Sequence, residues 1–266
     1  MKRIGYAQFS PVLGDLDANR RRVGRILHDI EADLVVLPEL AFSGYCIKDR
    51  SSALALAEDA GSSRSLDMLS EICAQGKYHV VAGFAEKDGE AVYNSAALVG
   101  PDGLIGVYRK IHLFNFESEL FDPGGEPPEV YDVDGMKVGM MICFDWFFPE
   151  TARLLALAGA EVIAHPANLV LDWCQRSMVT RCLENNLFAV TANRWGTEFR
   201  GGQEVRFTGA SQITAPRANI LASGPIDSDD VQIVEIDPSE ARDKMVTTRN
   251  HLLNDRRPEL YGRLVE

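Results

Sequence analysis

The chain has 266 residues, 46% of them hydrophobic and 25% charged, which is the balance of an ordinary globular protein. Its formal net charge of −12 argues against a nucleic-acid partner, because such proteins usually carry a basic patch and the densest basic cluster here is 20–25. No apolar run approaches the roughly 20 residues of a membrane span, and the N-terminus lacks the apolar region of a secretion signal. We therefore expect a cytoplasmic protein without a membrane partner.

Apolar spacing predicts strands and helices in the first half of the chain. Helices are predicted at 17–30 and at 62–75, the second ending at Gly76. Clusters of turn residues separate the last three strands of this half, which predicts a meander of hairpins. The predicted strands are 3–9, 34–37, 78–84, 93–99 and 104–110.

The second half continues the alternation. A helix that begins at Pro149 is expected to turn Leu154, Leu155 and Leu157 inward. Residues 198–204 are glycine-rich and polar, which predicts a loop. Further helices are predicted at 172–185 and 238–247, and strands at 138–142, 160–164, 187–192, 206–214, 219–222 and 231–236.

No break in composition and no low-complexity linker divides the chain. The pattern predicts a single domain, 1–266, made of two facing sheets flanked by helices. Residues 250–266 are too few and too polar to build a core of their own. We expect this C-terminal tail to pack on the domain or on a neighbouring subunit.

Cysteine usage and short motifs limit the possible chemistry. Five cysteines are an odd number and include no C-x-x-C pair, which predicts free thiols rather than a disulfide framework or a zinc site. The sequence has no G-x-G-x-x-G after a strand, no P-loop and no H-E-x-x-H, so we expect no cofactor and no metal. The cysteines are Cys46, Cys73, Cys143, Cys174 and Cys182.

Four polar side chains lie at or shortly after the ends of predicted strands. Pro38 ends one strand and leaves Glu39 just beyond it. Lys110 ends another strand, and Glu117 follows in an aromatic segment where burial would raise the pKa of a carboxyl group. Cys143 lies where a strand ends and a helix is about to begin, which is where ligands bind in open α/β sheets.

Each of these residues also has a simpler structural explanation. Cys143 could be a small apolar residue that finishes a strand, as most free cysteines are. Glu39 could be a loop glutamate facing water, and Lys110 an exposed cation at a strand end. His112 is better explained as a satisfied loop or core histidine than as a catalytic base.

The four groups together fit thiol chemistry. A thiol near a helix N-terminus has its thiolate stabilised by the helix dipole. A nucleophilic thiolate also needs a base for its proton, a cation for the developing oxyanion and an acid for the leaving group. Two glutamates and a lysine supply these functions, whereas the histidine partner of a papain-like protease is not apparent.

Three motifs in order carry a resemblance: Leu-Pro-Glu39, Tyr-Arg-Lys110-Ile-His-Leu-Phe with Glu117, and Cys143-Phe-Asp-Trp-Phe-Phe-Pro-Glu. With them the chain resembles the nitrilase superfamily of carbon-nitrogen hydrolases over nearly its whole length. The Cys143 motif, followed by His165-Pro-Ala-Asn-Leu, is most similar to the small archaeal and bacterial nitrilases and amidases. The resemblance implies an α/β fold, a four-layer α-β-β-α sandwich that dimerises into an αββααββα block.

The resemblance also implies roles for the four polar residues. Glu39 matches the general base of the family, Lys110 the lysine that stabilises the oxyanion, and Cys143 the nucleophile. Glu117 matches a second glutamate that positions the substrate and supports Lys110. The implied reaction hydrolyses a small amide through an acyl thioester and releases ammonia.

Four further residues are expected to bind substrate. The resemblance implies that the backbone N–H of Phe144 completes the oxyanion hole and that Asn168 lies in the substrate pocket. Family members that cleave carboxylate-bearing substrates have arginine shortly after the cysteine, where this chain has Trp146 and Phe147. We therefore expect a neutral acyl group in an aromatic pocket with Tyr45 and Trp146 as walls.

Several alternatives stay open at this stage. Arg176 or Arg194 could still reach the pocket and recognise a carboxylate. Nitriles or carbamoyl groups could be the substrate instead of amides. A weakly active interaction module is the non-enzymatic alternative, and redox sensing by Cys143 is a minor one. A homodimer or higher homo-oligomer is expected because apolar helices and the tail need partners.

Overall fold

The computed structural model describes residues 1–266, apart from the side chain of Val265. Its strands are β1 (Lys2–Gln8), β2 (Leu34–Val36), β3 (His79–Asp88), β4 (Ala91–Gly100), β5 (Gly103–Arg109), β6 (Val130–Val133), β7 (Met136–Met140), β8 (Val162–Pro166), β9 (Phe188–Ala192), β10 (Trp195–Arg200), β11 (Gln203–Thr208), β12 (Gln212–Thr214), β13 (Ile220–Ser223) and β14 (Asp230–Ile236). Its α-helices are α1 (Leu16–Leu27), α2 (Arg50–Leu56), α3 (Arg64–Gly76), α4 (Glu117–Leu120), α5 (Pro149–Leu157), α6 (Cys174–Asn185) and α7 (Ser239–Arg242).

Two six-stranded sheets form the centre of the molecule, in the orders β14-β1-β2-β3-β4-β5 and β13-β12-β9-β8-β7-β6. In the first sheet β1, β2 and β3 are parallel, and in the second sheet β7, β8 and β9 are parallel. Each remaining strand pairs antiparallel with its neighbour. Each sheet therefore has a parallel centre, whose carboxyl ends form the edge where α/β proteins usually bind ligands.

The apolar side chains divide into layers. One buried cluster joins the facing sides of both sheets, with Ile4 and Val36 from the first and Val138 and Val190 from the second, and extends to α5 and α6. A second cluster packs α1 and α3 against the other face of the first sheet. The layers are thus helix, sheet, sheet, helix, which confirms the predicted α/β sandwich of four layers.

The segment after β9 differs from the prediction. Residues 198–204, predicted to be a loop, belong to a β10–β11 hairpin, and the single strand predicted at 206–214 is two strands interrupted at Gly209. The hairpin turns at Gly201 and Gly202, both with positive φ, which is the conformation that a tight hairpin turn requires. The glycine pair was therefore a turn signal inside a hairpin and not the sign of an open loop. Helix α2 and strand β6 were also missed.

Helix α5 presents a second difference. Leu155 is buried as expected, but Leu154 and Leu157 are 44% and 45% exposed. They lie three residues apart on the face of α5 that points away from the second sheet, so they share one side of the helix. Leu183 on the neighbouring α6 is also exposed. The expectation that all three leucines of α5 turn inward is therefore wrong.

Three further features concern the cysteines, the length of the helices and the C-terminal tail. All five cysteines are free and buried, which confirms the prediction of unpaired thiols. Among the described residues, no helix has the combined length and apolar character needed to span a bilayer. The tail at 250–266 forms turns and short 3₁₀ segments beside α5, where Tyr261 and Leu264 border a groove with Arg153.

Candidate active site

Glu39 is placed by a close approach between two strands. It follows β2, and the backbone from Pro38 to Leu40 passes directly over Gly83 on β3. A Cβ at Gly83 would lie 2.5 Å from the Glu39 Cα and 2.7 Å from the Pro38 oxygen, so any side chain there would displace the glutamate. Because Gly83 has no side chain, the backbone at Glu39 can lie against β3, and this contact fixes the position of the Glu39 carboxyl group in the site.

Lys110 and Glu117 are held by the segment that follows β5. The Lys110 N–H donates to the Asn94 oxygen at 2.9 Å, and the Lys110 oxygen accepts from the Gly124 N–H at 2.8 Å. Glu117 begins α4, and its Oε2 accepts the Phe114 N–H at 3.1 Å. These hydrogen bonds therefore fix the position of the segment that carries Lys110 and Glu117.

The three charged residues form one buried cluster. The Lys110 Nζ donates to the Glu39 Oε1 at 2.7 Å and to the Glu117 Oε1 and Oε2 at 2.8 and 2.7 Å. All three residues are fully buried. The Tyr45 hydroxyl also donates to the Glu117 Oε1 at 2.8 Å, and the Asn94 Nδ2 donates to the Glu39 Oε1 at 2.7 Å. Two carboxylates thus share one ammonium group away from water.

The two oxygens of Glu39 have different environments. Oε1 accepts from both Lys110 and Asn94. Oε2 is buried and has no hydrogen-bond partner within the described part of the chain. Because a buried acceptor without a donor is costly, Oε2 is the atom that is available to take a proton.

Cys143 lies in a strained turn between β7 and α5. It begins a 3₁₀ segment, Cys143–Phe147, and has a φ of +40°, a conformation that non-glycine residues rarely adopt. Asp145 holds this turn, because its Oδ2 accepts the Ile142 N–H at 2.9 Å and the Tyr108 hydroxyl at 2.8 Å. The His165 Nε2 donates to the Cys143 oxygen at 3.0 Å. The turn resembles the strained strand-to-helix elbow that presents the nucleophile in α/β-hydrolases.

The electrostatics of the sulfur differ from the expectation. Burial raises the pKa of the Cys143 thiol well above its ordinary value, and Glu39 and Glu117 raise it further. Lys110 and the Asn168 backbone N–H act in the opposite direction but do not outweigh them. The expectation of a thiolate stabilised by the following helix is therefore not met in the resting site, where the sulfur carries its proton and needs a base at the moment of attack.

Burial also affects the pKa values of the neighbouring Glu117, Lys110 and His165. Burial raises the pKa of Glu117 to about 7, against the lowering effect of Lys110. Burial alone would lower the pKa of Lys110, but Glu117 and Glu39 raise it, so the ammonium form is retained. Burial lowers the pKa of His165 to about 4, so this histidine is neutral. Its Nε2 donates to the Cys143 carbonyl and its Nδ1 lies 3.0 Å from the Thr191 hydroxyl, so both ring nitrogens are engaged away from the thiol and His165 is not the base of the site.

The Glu117 shift makes the stability of the protein depend on pH. Its pKa is about 7 in the folded protein and ordinarily 4.5, so between these values the folded state binds more protons and stability falls as pH rises. Glu117→Gln cannot ionise. We expect the stability advantage of the wild type over this variant to shrink as pH rises through the window, as measured by urea unfolding at several pH values. A constant difference would show that Glu117 titrates elsewhere.

A small cavity, with about 20 Å³ of free space, is lined in part by Cys143. It places three of the four predicted substrate-binding residues, Phe144, Trp146 and Asn168, beside Cys143. Tyr45 is placed differently, because its hydroxyl is directed to Glu117. The residues that line the cavity are Phe114, Cys143, Phe144, Trp146, Asn168, Leu169, Val170 and Leu171.

Neither arginine considered as a carboxylate receptor lines this cavity. Arg176 is exposed and lies 3.8 Å from Asp172. Arg194 is buried, pairs with Glu198, donates to the Ser10 hydroxyl at 3.0 Å and stacks on an aromatic ring. Arg194 is therefore buried and has several partners, whereas Arg176 is exposed and has one ion pair on the surface.

This contrast predicts different effects on stability. Arg194→Met should lower the free energy of unfolding by about 3 to 5 kcal/mol, because it leaves the buried Glu198 carboxylate without its partner. Arg176→Met should change it by no more than about 0.5 kcal/mol, since its ion pair is exposed. Urea unfolding of both variants measures the difference. Equal losses would contradict the structural role assigned to Arg194.

Sequence reasoning missed several residues that shape the site. Asn94 and Ser95 are two polar residues inside the mostly apolar β4, and that interruption was the available signal. Asp145 stands two residues after the cysteine but was not singled out. Glu198 lies in the hairpin that was predicted to be a loop, yet its Oε2 accepts the N–H groups of Tyr45 and Cys46 at 3.0 and 2.6 Å. His112 met its expectation, because its Nδ1 lies 2.8 Å from the Asp145 carboxylate.

The sandwich fold and the buried cluster beside a cysteine indicate a hydrolase that acts on carbon-nitrogen bonds. The chain belongs to the carbon-nitrogen hydrolase family, whose sequence model matches residues 3–244. A protein of Pyrococcus abyssi named nitrilase is 43% identical over 266 residues, which cover 99% of this chain and 100% of that relative. The predicted family is thereby confirmed, and the protein is an enzyme acting on C–N bonds.

Solved structures share the fold. A carbon-nitrogen hydrolase from Helicobacter pylori G27 has a TM-score of 0.89 at 23% identity, covering 100% of this chain and 98% of that one. A mutant of the amidase from Nesterenkonia sp. AN1 has a TM-score of 0.80 at 22% identity, covering 98% and 96%. That structure shows the acetamide moiety of fluoroacetamide added covalently to the active-site cysteine.

Proposed function

We propose that the protein hydrolyses the C–N bond of a small neutral amide, with Cys143 as nucleophile. The observation that carries this proposal is the buried cluster of Glu39, Lys110 and Glu117, whose one unpaired carboxylate oxygen belongs to the residue proposed as the base. The small cavity lined by Cys143 opens towards solvent, which supports this side as the approach to the sulfur. The covalent adduct on the cysteine of the Nesterenkonia amidase supports the same chemistry.

In the acylation half, the Glu39 Oε2 takes the Cys143 thiol proton as the sulfur attacks the amide carbon. The tetrahedral oxyanion is held by the Lys110 ammonium group and the Phe144 N–H. Glu39 then passes its proton to the amide nitrogen, the C–N bond breaks, and ammonia leaves an acyl thioester on Cys143. Because burial keeps the resting thiol protonated, Glu39 has to accept this proton for the sulfur to act as a nucleophile.

In the deacylation half, the Glu39 Oε2 takes a proton from water, whose oxygen attacks the thioester carbon. The same two donors hold the second oxyanion, and the collapse of this intermediate breaks the C–S bond. The proton on Glu39 returns to the sulfur, which restores the thiol and releases the carboxylic acid. Glu117 keeps Lys110 oriented through both halves, since it accepts from the Lys110 Nζ with both oxygens.

The cavity favours a neutral acyl group. Its described lining has aromatic and aliphatic side chains and one amide, Asn168, and no charged side chain is among them. Arg194 is already paired with Glu198, and Arg176 is exposed. Relatives named nitrilase and structures named amidase leave nitriles as an alternative substrate class, and carbamoyl compounds are another. The weakly active interaction module is disfavoured because all four matching residues are present in one site.

Ammonia release from a matched pair of amides tests the proposal. Propionamide should be hydrolysed with a higher kcat/KM than succinamate, because the succinamate carboxylate would enter an apolar pocket without a cation. A strong preference for succinamate would contradict the neutral pocket. Mass spectrometry of the intact protein after mixing with substrate should show an acyl adduct that is absent from Cys143→Ala.

We also infer that the single domain, 1–266, assembles as a homodimer or higher homo-oligomer. The exposed leucines of α5 and α6 support this, because Leu154, Leu157 and Leu183 leave an apolar helix face uncovered. The tail lies beside the same helices, with Leu260 and Leu264 exposed, and would reach the neighbouring subunit. Sedimentation of the wild type and of Leu157→Asp tests this, and a monomeric wild type would contradict it.

A cytoplasmic location is part of the same proposal. Five unpaired cysteines, all buried, support a reducing compartment, because disulfides form and persist mainly in oxidising ones. Fractionation of cells that produce the protein, with antibody detection, tests the location. Recovery in an extracytoplasmic fraction would contradict it.

A further inference from the structure

Three of the buried side-chain acceptors that lack a hydrogen-bond partner among the described residues belong to the cluster around Glu39: the Glu39 Oε2, the Asn94 Oδ1 and the Asn168 Oδ1. Of these three residues, Asn168 lines the cavity at Cys143. All three residues are connected, because Asn94 donates to the Glu39 carboxylate and Asn168 donates to the Glu39 backbone oxygen. Buried acceptors are normally satisfied, so an occupant with N–H or O–H donors fits this site better than one without them.

The Asn168 oxygen is the acceptor that meets the substrate. Asn168 is 2% exposed and lines the cavity together with Cys143. Its Nδ2 donates to the Glu39 backbone oxygen at 2.9 Å, and because that oxygen can only accept, the orientation of the amide is fixed. The Oδ1 is therefore the atom left for a ligand. The backbone N–H of Asn168 acts on the Cys143 sulfur, which places the residue beside the reacting atoms.

The possible substrate groups differ in what they offer to this oxygen. A primary amide carries two N–H groups on the nitrogen that will leave, and a terminal carbamoyl group carries the same NH₂. A nitrile nitrogen carries no hydrogen. A pocket that hydrogen-bonds a substrate N–H discriminates strongly against an analogue without one, because its buried polar group is then left unpaired.

We propose that Asn168 is a specificity residue whose Oδ1 accepts an N–H of the leaving NH₂ group, so that the enzyme prefers primary amides and terminal carbamoyl groups to nitriles. This inference rests on the proposed function of the same site. The hydrogen bond also orients the nitrogen lone pair. The Glu39 Oε2, protonated by the thiol, can then deliver its proton to that nitrogen as the C–N bond breaks.

The experiment compares three substrates with the same acyl group: propionamide, propionitrile and p-nitrophenyl propionate. The ester uses the same thiol but has no N–H, so it reports whether Cys143 and the oxyanion donors are intact. For the wild type we expect kcat/KM for the amide to exceed that for the nitrile by at least about a hundredfold. Asn168→Ala should reduce this ratio by roughly tenfold or more, because amide turnover should fall further than nitrile or ester turnover.

The outcomes separate the two proposals. If Asn168→Ala lowered amide, nitrile and ester turnover equally, the residue would only support the backbone of Glu39, and the specificity role would be overturned. The wild type by itself also tests this inference. If its kcat/KM values for amide and nitrile were comparable while the ester was turned over, the specificity role of Asn168 would be overturned and the proposed thiol hydrolase would stand. If none of the three substrates were turned over, the proposed function would fall, and this inference with it.

A control variant is available on the same wall of the cavity. Val170→Ala changes the lining near Asn168 without removing a polar atom. It should alter the KM of all three propionyl compounds alike and leave the ratio of amide to nitrile unchanged. A ratio that fell as far in Val170→Ala as in Asn168→Ala would show that pocket shape, and not the Asn168 oxygen, sets the preference.

Discussion

Cys143→Ala should lower kcat/KM for amides by at least about a thousandfold, because the variant has no atom that can form the thioester. The residual rate would come only from oxyanion donors and substrate binding, which remain in place. Ammonia release from propionamide measures the loss. Cys143 is 6% exposed and belongs to the buried core, so the loss of its sulfur should also cost some stability, which urea unfolding measures separately from the rate.

The matched control for this prediction is Cys73→Ala. Cys73 is also a buried free thiol, but it lies in α3 within the apolar layer on the far side of the first sheet. Its removal should cost some stability and leave the rate unchanged. Comparable rates for Cys143→Ala and wild type, or a large loss in Cys73→Ala, would place the nucleophile elsewhere.

Lys110→Met should affect both rate and stability. The variant loses one oxyanion donor, which typically lowers kcat by about 100- to 1,000-fold. It also leaves Glu39 and Glu117 buried side by side without their shared cation, which should lower the free energy of unfolding by about 3 to 5 kcal/mol. Ammonia release and urea unfolding measure the two effects separately.

Lys137→Met provides the comparison. Lys137 pairs with Asp132 at 2.9 Å on the surface, where both side chains are about half exposed. Removal of this exposed pair should cost at most about 1 kcal/mol and should not change the rate. If Lys110→Met were as stable and active as Lys137→Met, the buried cluster would have no role in either fold or catalysis.

The polar residues of the cluster could be predicted because each breaks a local pattern. Lys110 directly follows β5, Glu39 and Cys143 lie three residues after β2 and β7, and in open sheets strand ends converge on one edge. The order of the three motifs identified the family, and the apolar periodicity predicted two facing sheets flanked by helices. These features are local in the chain, so they are visible without coordinates.

Other features depend on distances that the sequence does not contain. Asp145 meets Tyr108 only because the two sheets face each other, and Glu198 meets Tyr45 only because the β10–β11 hairpin folds over that loop. The protonation of Cys143 also depends on long-range contacts, because burial and two carboxylates that are remote in sequence outweigh the local helix effect on the pKa of the thiol. The sum of long-range electrostatic contributions could not be predicted from residue types and spacing.

Gly83 shows that this active site depends on empty space as well as on functional groups. The position of Glu39 relies on a neighbour on β3 that contributes no atoms beyond its backbone. A relative could therefore retain every acid, amine and thiol of the reaction and still be inactive, if a methyl group at this position pushed the carboxylate out of reach. Assigning activity across the family consequently requires inspection of this glycine as well as of the polar residues.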